Sequence, residues 1–209
     1  MSQLVTLHPK NPEPRLIKRV VDVVRGGGVI AYPTDSSYAI GCHIGDKAAM
    51  ERIRRIRGVD ERHHFTLVCR DLSDIGTFAK VDNAQYRLLK AHTPGTYTFI
   101  LKATRELPRR LAHPKRATVG VRVPEHPVTH ALLTELDEPL LSSTLILPGE
   151  TVPLNDAETI FKHLEHQVDL ILDGGPCGTQ PTTVIDLSED TPILIRRGKG
   201  EIASFGFED

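Results

Sequence analysis

Four apolar residues in a row, Val29-Ile30-Ala31-Tyr32, stand between Gly26-Gly27-Gly28 and Pro33. A run this short, bounded by glycine and proline, suits a buried strand better than a helix. Just before it, over 13–25, Leu16, Val20, Val23 and Val24 recur at helical spacing behind Pro14, a residue tolerated in a first turn. The same alternation continues along the chain. Asp46 is placed to cap a second helix, Ala49, Met50, Ile53 and Ile56 form its buried stripe, and Gly58 supplies the stop. Its other face carries Arg52, Arg54, Arg55 and Arg57. Further helices are predicted over 82–92, 127–136 and 156–166, and strands over 65–69, 97–101, 118–123, 139–144, 169–173, 182–187 and 193–197. In Thr118-Val119-Gly120-Val121-Arg122-Val123 the valines alternate, so Gly120 and Arg122 face away from the core. Strands interleaved with helices and a strand-rich C-terminal part mean a mixed α/β sheet rather than a strictly alternating parallel one. Nothing between Gly26 and Gly200 has the composition of a linker, so the 209 residues read as a single domain with a core over about 13–200.

Charge narrows the partners. With 26 Lys+Arg against 27 Asp+Glu, the chain is not held to nucleic acid by bulk charge, and any basic surface must be local. The N-terminus lacks a charged segment followed by an apolar one, and no stretch approaches the ~18 apolar residues of a membrane span, so no membrane association and a cytoplasmic location are expected. Cys42, Cys69 and Cys177 lie far apart without C-x-x-C spacing and read as ordinary buried or half-buried thiols. His126 with His130, and His163 with His166, have helical spacing but no H-E-x-x-H frame, so no metal site is expected from them. Neither a P-loop nor a G-x-G-x-x-G opening a helix is present.

What remains is a set of polar clusters at the ends of apolar strands: Thr34 with Ser36 and Ser37, Ser142 with Ser143 and Thr144, and Thr182 with Thr183. Arginines lie beside them in sequence, Arg55 and Arg57, Arg122, and Arg196 with Arg197. Guanidinium forks match phosphate oxygens and hydroxyls complete the shell, which is the chemistry a polyphosphate needs. Each element also has an ordinary structural role, in turns, helix-end charge or i, i+4 pairing. Spacing alone therefore reaches an anion-binding α/β domain and stops there.

The run 28–42, with Pro33-Thr34-Asp35-Ser36-Ser37-Tyr38 at its centre, resembles the signature of the YrdC-like family. Thr93-Pro94-Gly95-Thr96-Tyr97-Thr98-Phe99, Val121-Arg122-Val123-Pro124, Pro181-Thr182-Thr183-Val184-Ile185-Asp186 and Ile195-Arg196-Arg197-Gly198 match that family's later motifs in order. Ile53-Arg54-Arg55-Ile56-Arg57, His64 to Leu67 and Leu147-Pro148-Gly149 are most similar to its YciO branch. The resemblance implies a YrdC/RibB-type α/β fold, with a twisted, mixed, open sheet flanked by helices around a concave basic groove. In the family's enzymes that groove binds ATP, L-threonine and bicarbonate. It makes threonylcarbamoyl-adenylate and pyrophosphate, the first step toward threonylcarbamoyl-adenosine in tRNA, and Mg2+ accompanies the ATP.

Carried over position by position, the resemblance puts Thr34, Tyr38, His64 and Arg122 on the substrate. It makes Arg55 and Arg57 the catalytic basic pair aimed at phosphate, and assigns the nucleotide also to Ser142, Thr144, Thr183 and Arg196. The chain departs from the pattern at two of its polar positions: Arg55 stands for a lysine and Ile146 for an asparagine. Two other readings stay open: double-stranded RNA or tRNA binding along the same groove, extended by Arg109, Arg110, Lys115 and Arg116, and a regulatory domain that binds threonine or nucleotide without turnover.

Overall fold

The computed structural model describes Met1 to Glu208. Ten strands join one mixed sheet in the order β1-β8-β2-β3-β7-β4-β6-β5-β9-β10. In chain order they are β1 (Gln3–Thr6), β2 (Ile30–Tyr32), β3 (Ala39–His43), β4 (Thr66–Val68), β5 (Tyr97–Lys102), β6 (Thr118–Arg122), β7 (Leu140–Thr144), β8 (Leu170–Asp173), β9 (Thr183–Asp186) and β10 (Ile193–Arg196). Six α-helices accompany them: α1 (Pro14–Arg25), α2 (Lys47–Arg57), α3 (Leu72–Phe78), α4 (Asn83–His92), α5 (Pro127–Leu136) and α6 (Ala157–Leu164). The pairs β1–β8, β2–β8, β4–β6 and β5–β9 are parallel and the other five antiparallel, the mixed sheet expected from the sequence. The expected elements form within a residue or two of their predicted bounds, and β1, β3 and α3 are additions to them.

Strand alternation assigns the two faces. Ala31, Ile40, Leu67, Phe99, Val121, Leu141, Ile171 and Ile185 point to one side and share a core with the buried stripes of α2 and α6 and with Ile75 and Leu89 of α3 and α4. On the other side, Ile30, Tyr32, Leu140, Leu170 and Leu172 pack under α1 and α5, which bury Ile17, Val20, Val21 and Val24, and Val128, Leu132, Leu133 and Leu136. Burying a side chain of this kind contributes about 1.5–3 kcal/mol, so each helix is fixed by its stripe. The core under these two helices runs from β1 to Val68 at the end of β4. Beyond them the same face of β4, β6, β5 and β9 carries no α-helix among the described residues and presents Thr66, Gly120, Thr98, Ile100 and Val184 to open space. Register sets Gly41, Ser142, Thr66, Gly120 and Ile100 side by side across five strands.

Helix α2 is held at both ends. Asp46 Oδ1 accepts from the Ala49 N–H at 2.8 Å, and Gly58 closes the helix in the left-handed region at φ 61°. That pinned last turn ends on Arg57, beside the uncovered part of the sheet.

Candidate functional site

The uncovered face is the floor of a cleft of about 630 Å3. At one end the loop after β2 folds on itself: Thr34 Oγ1 accepts from the N–H groups of Ser36 and Ser37 at 3.2 and 3.3 Å and donates to the Ser37 carbonyl at 2.6 Å. The turn presents Asp35 and Ser36 to the end of β6. There Arg122, itself buried, donates to the Asp35 carboxylate and, at 3.2 Å, to Ser36 Oγ. Asp35 is fixed in turn by the Glu125 N–H at 2.8 Å and, through its carbonyl, by Lys199 Nζ at 2.6 Å. Next along the floor, Thr98 and Thr182 share a hydroxyl contact of 2.9 Å, and Arg196 reaches back from β10 to the Thr182 carbonyl at 2.9 Å.

The wall below α2 is built on Arg57. Its Nε donates to the Ile146 carbonyl at 2.9 Å and its Nη1 to Ser143 Oγ, and Ser143 Oγ also meets His63 Nε2 at 2.9 Å. Burial, reinforced by the nearby Arg57 charge, pushes the His63 imidazole down to about 4, so it is neutral at neutral pH. The network is then satisfied with Ser143 accepting from Arg57 and donating to His63. Arg57 is half-buried, desolvation lowers its pKa, and among the described residues it has no carboxylate partner. At the far end the rings of His64 and His113 lie with centroids 4.8 Å apart, tilted by 34°, and His113 Nδ1 accepts the Lys115 and Arg116 N–H groups at 3.2 and 3.1 Å. Burial and the neighbouring His113 lower the His64 pKa. Thr66, Thr118 and Thr144 line the cleft, and among the described residues no side-chain hydrogen bond engages their hydroxyls.

Of the residues singled out from the sequence, Thr34, Arg57, His64, Arg122, Ser142, Thr144 and Arg196 line this cleft together. Three do not. Arg55 is exposed on the outer side of α2, since residues two apart on a helix point about 200° apart and Arg57 takes the inner position. Tyr38 is fully buried in the core behind the sheet, with its hydroxyl donating to the Gly175 carbonyl at 2.9 Å. Thr183 is fully buried as well: its Oγ1 donates to Gly200 O at 2.6 Å and accepts from Gly198 N–H at 3.1 Å, while Thr182 faces the cleft. The proposed extension for RNA is not a continuous track. Arg110 is spent on the Ile44 and Gly45 carbonyls, and Arg116 is ion-paired with the buried Asp186. Ser143 and Thr182, from the polar clusters of the sequence, also line the cleft, and so do His63, His113, Thr66 and Thr118; the register of β4 and β6 brings in the two threonines, and sequence spacing carries no sign of these four.

Fold and site together define an α/β protein with a hydroxyl-lined, cationic cleft on an uncovered sheet face. The Sua5/YciO/YrdC family model, described as telomere recombination, matches residues 22–198, and the chain belongs to that family. It is 56% identical over 205 residues to YciO of Escherichia coli K12, covering 98% of this chain and all of that one, and the crystal structure of E. coli YciO superposes with a TM-score of 0.95. More distantly, it is 29% identical over 179 residues to the human threonylcarbamoyl-AMP synthase, covering 82% of this chain and 63% of that protein. A structure of P. abyssi Sua5 complexed with L-threonine shares the fold at TM-score 0.87 and 24% identity, over 94% of this chain and 58% of that one. Among the described residues no helix is long and apolar enough to cross a membrane.

Proposed function

We propose that the cleft binds ATP and L-threonine and joins them, with bicarbonate, into threonylcarbamoyl-adenylate. The observation that carries this reading is Arg57: a half-buried guanidinium held by two neutral acceptors and, among the described residues, without an acid to neutralise it. A desolvated cation is costly until an anion joins it, and here the surrounding groups are hydroxyls and further guanidiniums. Distant relationship to the threonylcarbamoyl-AMP synthases and the L-threonine carried by P. abyssi Sua5 support the choice of substrates.

In this reading bicarbonate takes up a proton and loses water to give CO2, and the free amine of threonine attacks the CO2 carbon and gives up a proton, leaving a carbamate. A carbamate oxygen then attacks the α-phosphorus of ATP, and the bond to the bridging oxygen breaks to release pyrophosphate. The protein's part is to hold the reactants in line and neutralise charge on the phosphoryl oxygens, which arginines and hydroxyls do without a covalent nucleophile. Arg57 and Arg196 face the phosphates, while Arg122 and Thr34, at the end closed by the loop after β2, hold the amino acid. Mg2+ arrives on the phosphates of the nucleotide, the usual way this ion is held when a protein offers few carboxylates.

The test is to incubate the protein with ATP, L-threonine and bicarbonate and to follow acyl-adenylate and pyrophosphate by chromatography. Threonine-dependent pyrophosphate that falls about 100-fold or more in Arg57→Ala is expected, since a contact to a charged group in a desolvated site contributes up to ~3 kcal/mol. Binding of ATP or threonine with no product refutes the synthase reading and leaves a ligand-binding domain. Salt-sensitive affinity for double-stranded RNA, with neither small molecule bound, refutes the substrate assignment as well.

A further inference from the structure

A second cavity, of about 460 Å3, lies beyond the end of β6, the strand that carries Arg122. Arg122, the last residue of β6, lines the cleft, and Val123, the next, lines the second cavity. Its apolar surface is Leu72, Pro94, Val123, Pro124 and Pro127, contributed by the starts of α3 and α5 and the turn after α4. Most polar groups around it are already engaged. Arg70 is spent on Asp71, Asp74 and Asp137, and Thr93 Oγ1 on the Leu89 carbonyl. His126 Nδ1 accepts from the Val128 N–H and burial lowers its pKa, while His130 is exposed. Two formal charges of opposite sign are left at the rim, the exposed Lys90 Nζ and Glu125 carboxylate, neither with a hydrogen bond or ion pair among the described residues.

From this arrangement we propose that the second cavity binds a free α-amino acid with an apolar side chain, its carboxylate on Lys90, its ammonium on Glu125 and its side chain on the prolines and Val123. One free cation and one free anion over an apolar surface match a single small zwitterion, and the volume is in the range of small-molecule sites, roughly 300–1,000 Å3. A long anion such as a triphosphate does not fit this balance, because Glu125 and Asp71 repel it.

The experiment is a titration of the full chain with L-leucine, followed by protein-observed NMR. Saturable shifts at Val123 and Lys90 are expected, weakened about tenfold or more in Lys90→Glu, in Glu125→Gln, and with N-acetyl-L-leucine or L-leucine amide, each of which lacks one charge. Binding is expected to be unchanged in Arg57→Ala, which removes a cleft contact and no contact of this cavity. No shift with L-leucine, or shifts that survive both charge variants, overturns the proposal. So does loss of L-leucine binding in Arg57→Ala, which would place the amino acid in the cleft. None of these readouts depends on adenylate synthesis, so the synthase reading can fail without touching this one.

Discussion

At the scale of single residues, the wall around Arg57 depends on which groups stay neutral. His63 titrates near 4 against an ordinary value of 6.5, because burial first and the Arg57 charge second disfavour its protonated form. The unfolded chain therefore takes up this proton before the folded one does. Stability from neutral His63 is complete above the ordinary histidine range and is lost as pH falls through about 4. His63→Gln removes the titrating group and keeps an amide for Ser143. Its Tm is expected to drop less than that of the parent protein between about pH 7.5 and about pH 5, and an equal drop in both would show that His63 is already protonated in the fold. Thr183 gives a contrasting case, since its hydroxyl serves only the backbone of 198–200. Thr183→Val leaves a buried carbonyl and N–H short of a partner and is expected to cost about 1–3 kcal/mol by urea denaturation, with KM for ATP unchanged. A raised KM with unchanged stability would return Thr183 to the nucleotide site.

At the scale of elements, what positions Arg57 is the end of α2. Gly58 sits at φ 61°, and a Cβ there would lie 3.0 Å from Cβ of Pro148. Gly58→Ala combines a left-handed backbone cost of roughly 1–2 kcal/mol with that contact, so a Tm lower by several degrees and a raised KM for ATP are expected together. A lower Tm with unchanged KM would mean that the last turn does not aim the guanidinium. The cap and stop of α2 are plain in the sequence because Asp46 and Gly58 act on their own neighbours. Strands β1 and β3 were not legible in the same way. Gln3–Thr6 has one buried residue in four, and Ala39–His43 follows a polar turn and contains Gly41, so neither shows a period of two that separates it from a loop. Helix α3 is seven residues long and buries only Ile75, too little for a helical stripe. The misplaced site residues have a related cause. Arg55, Tyr38 and Thr183 stand next to or near residues that do reach the cleft, and sequence adjacency does not say which side of an element a side chain takes.

At the scale of the whole molecule, the cleft exists because α1 and α5 cover less than the full width of the sheet and leave Thr66, Thr98, Ile100, Gly120 and Val184 as the floor of the remainder. Gly120 is central to that floor, flanked in register by Thr66 and Ile100. A Cβ on Gly120 would lie 3.5 Å from Thr66 Oγ1 and 3.5 Å from Thr98 Cγ2, an ordinary contact distance, so the fold has room for the first carbon. Anything longer grows into the cleft. Gly120→Ala is expected to keep both Tm and nucleotide affinity close to those of the parent protein. Gly120→Leu is expected to keep the fold and weaken ATP binding by about tenfold or more, because its branch occupies the volume where the ligand lies and separates it from contacts worth ~1–3 kcal/mol each. Calorimetry with both variants decides the point: unimpaired ATP binding in a folded Gly120→Leu protein would place the nucleotide elsewhere, whatever its affinity for Arg57. The pair also separates space from chemistry, since neither substitution removes a charge or a hydroxyl and only the larger one changes the shape of the site.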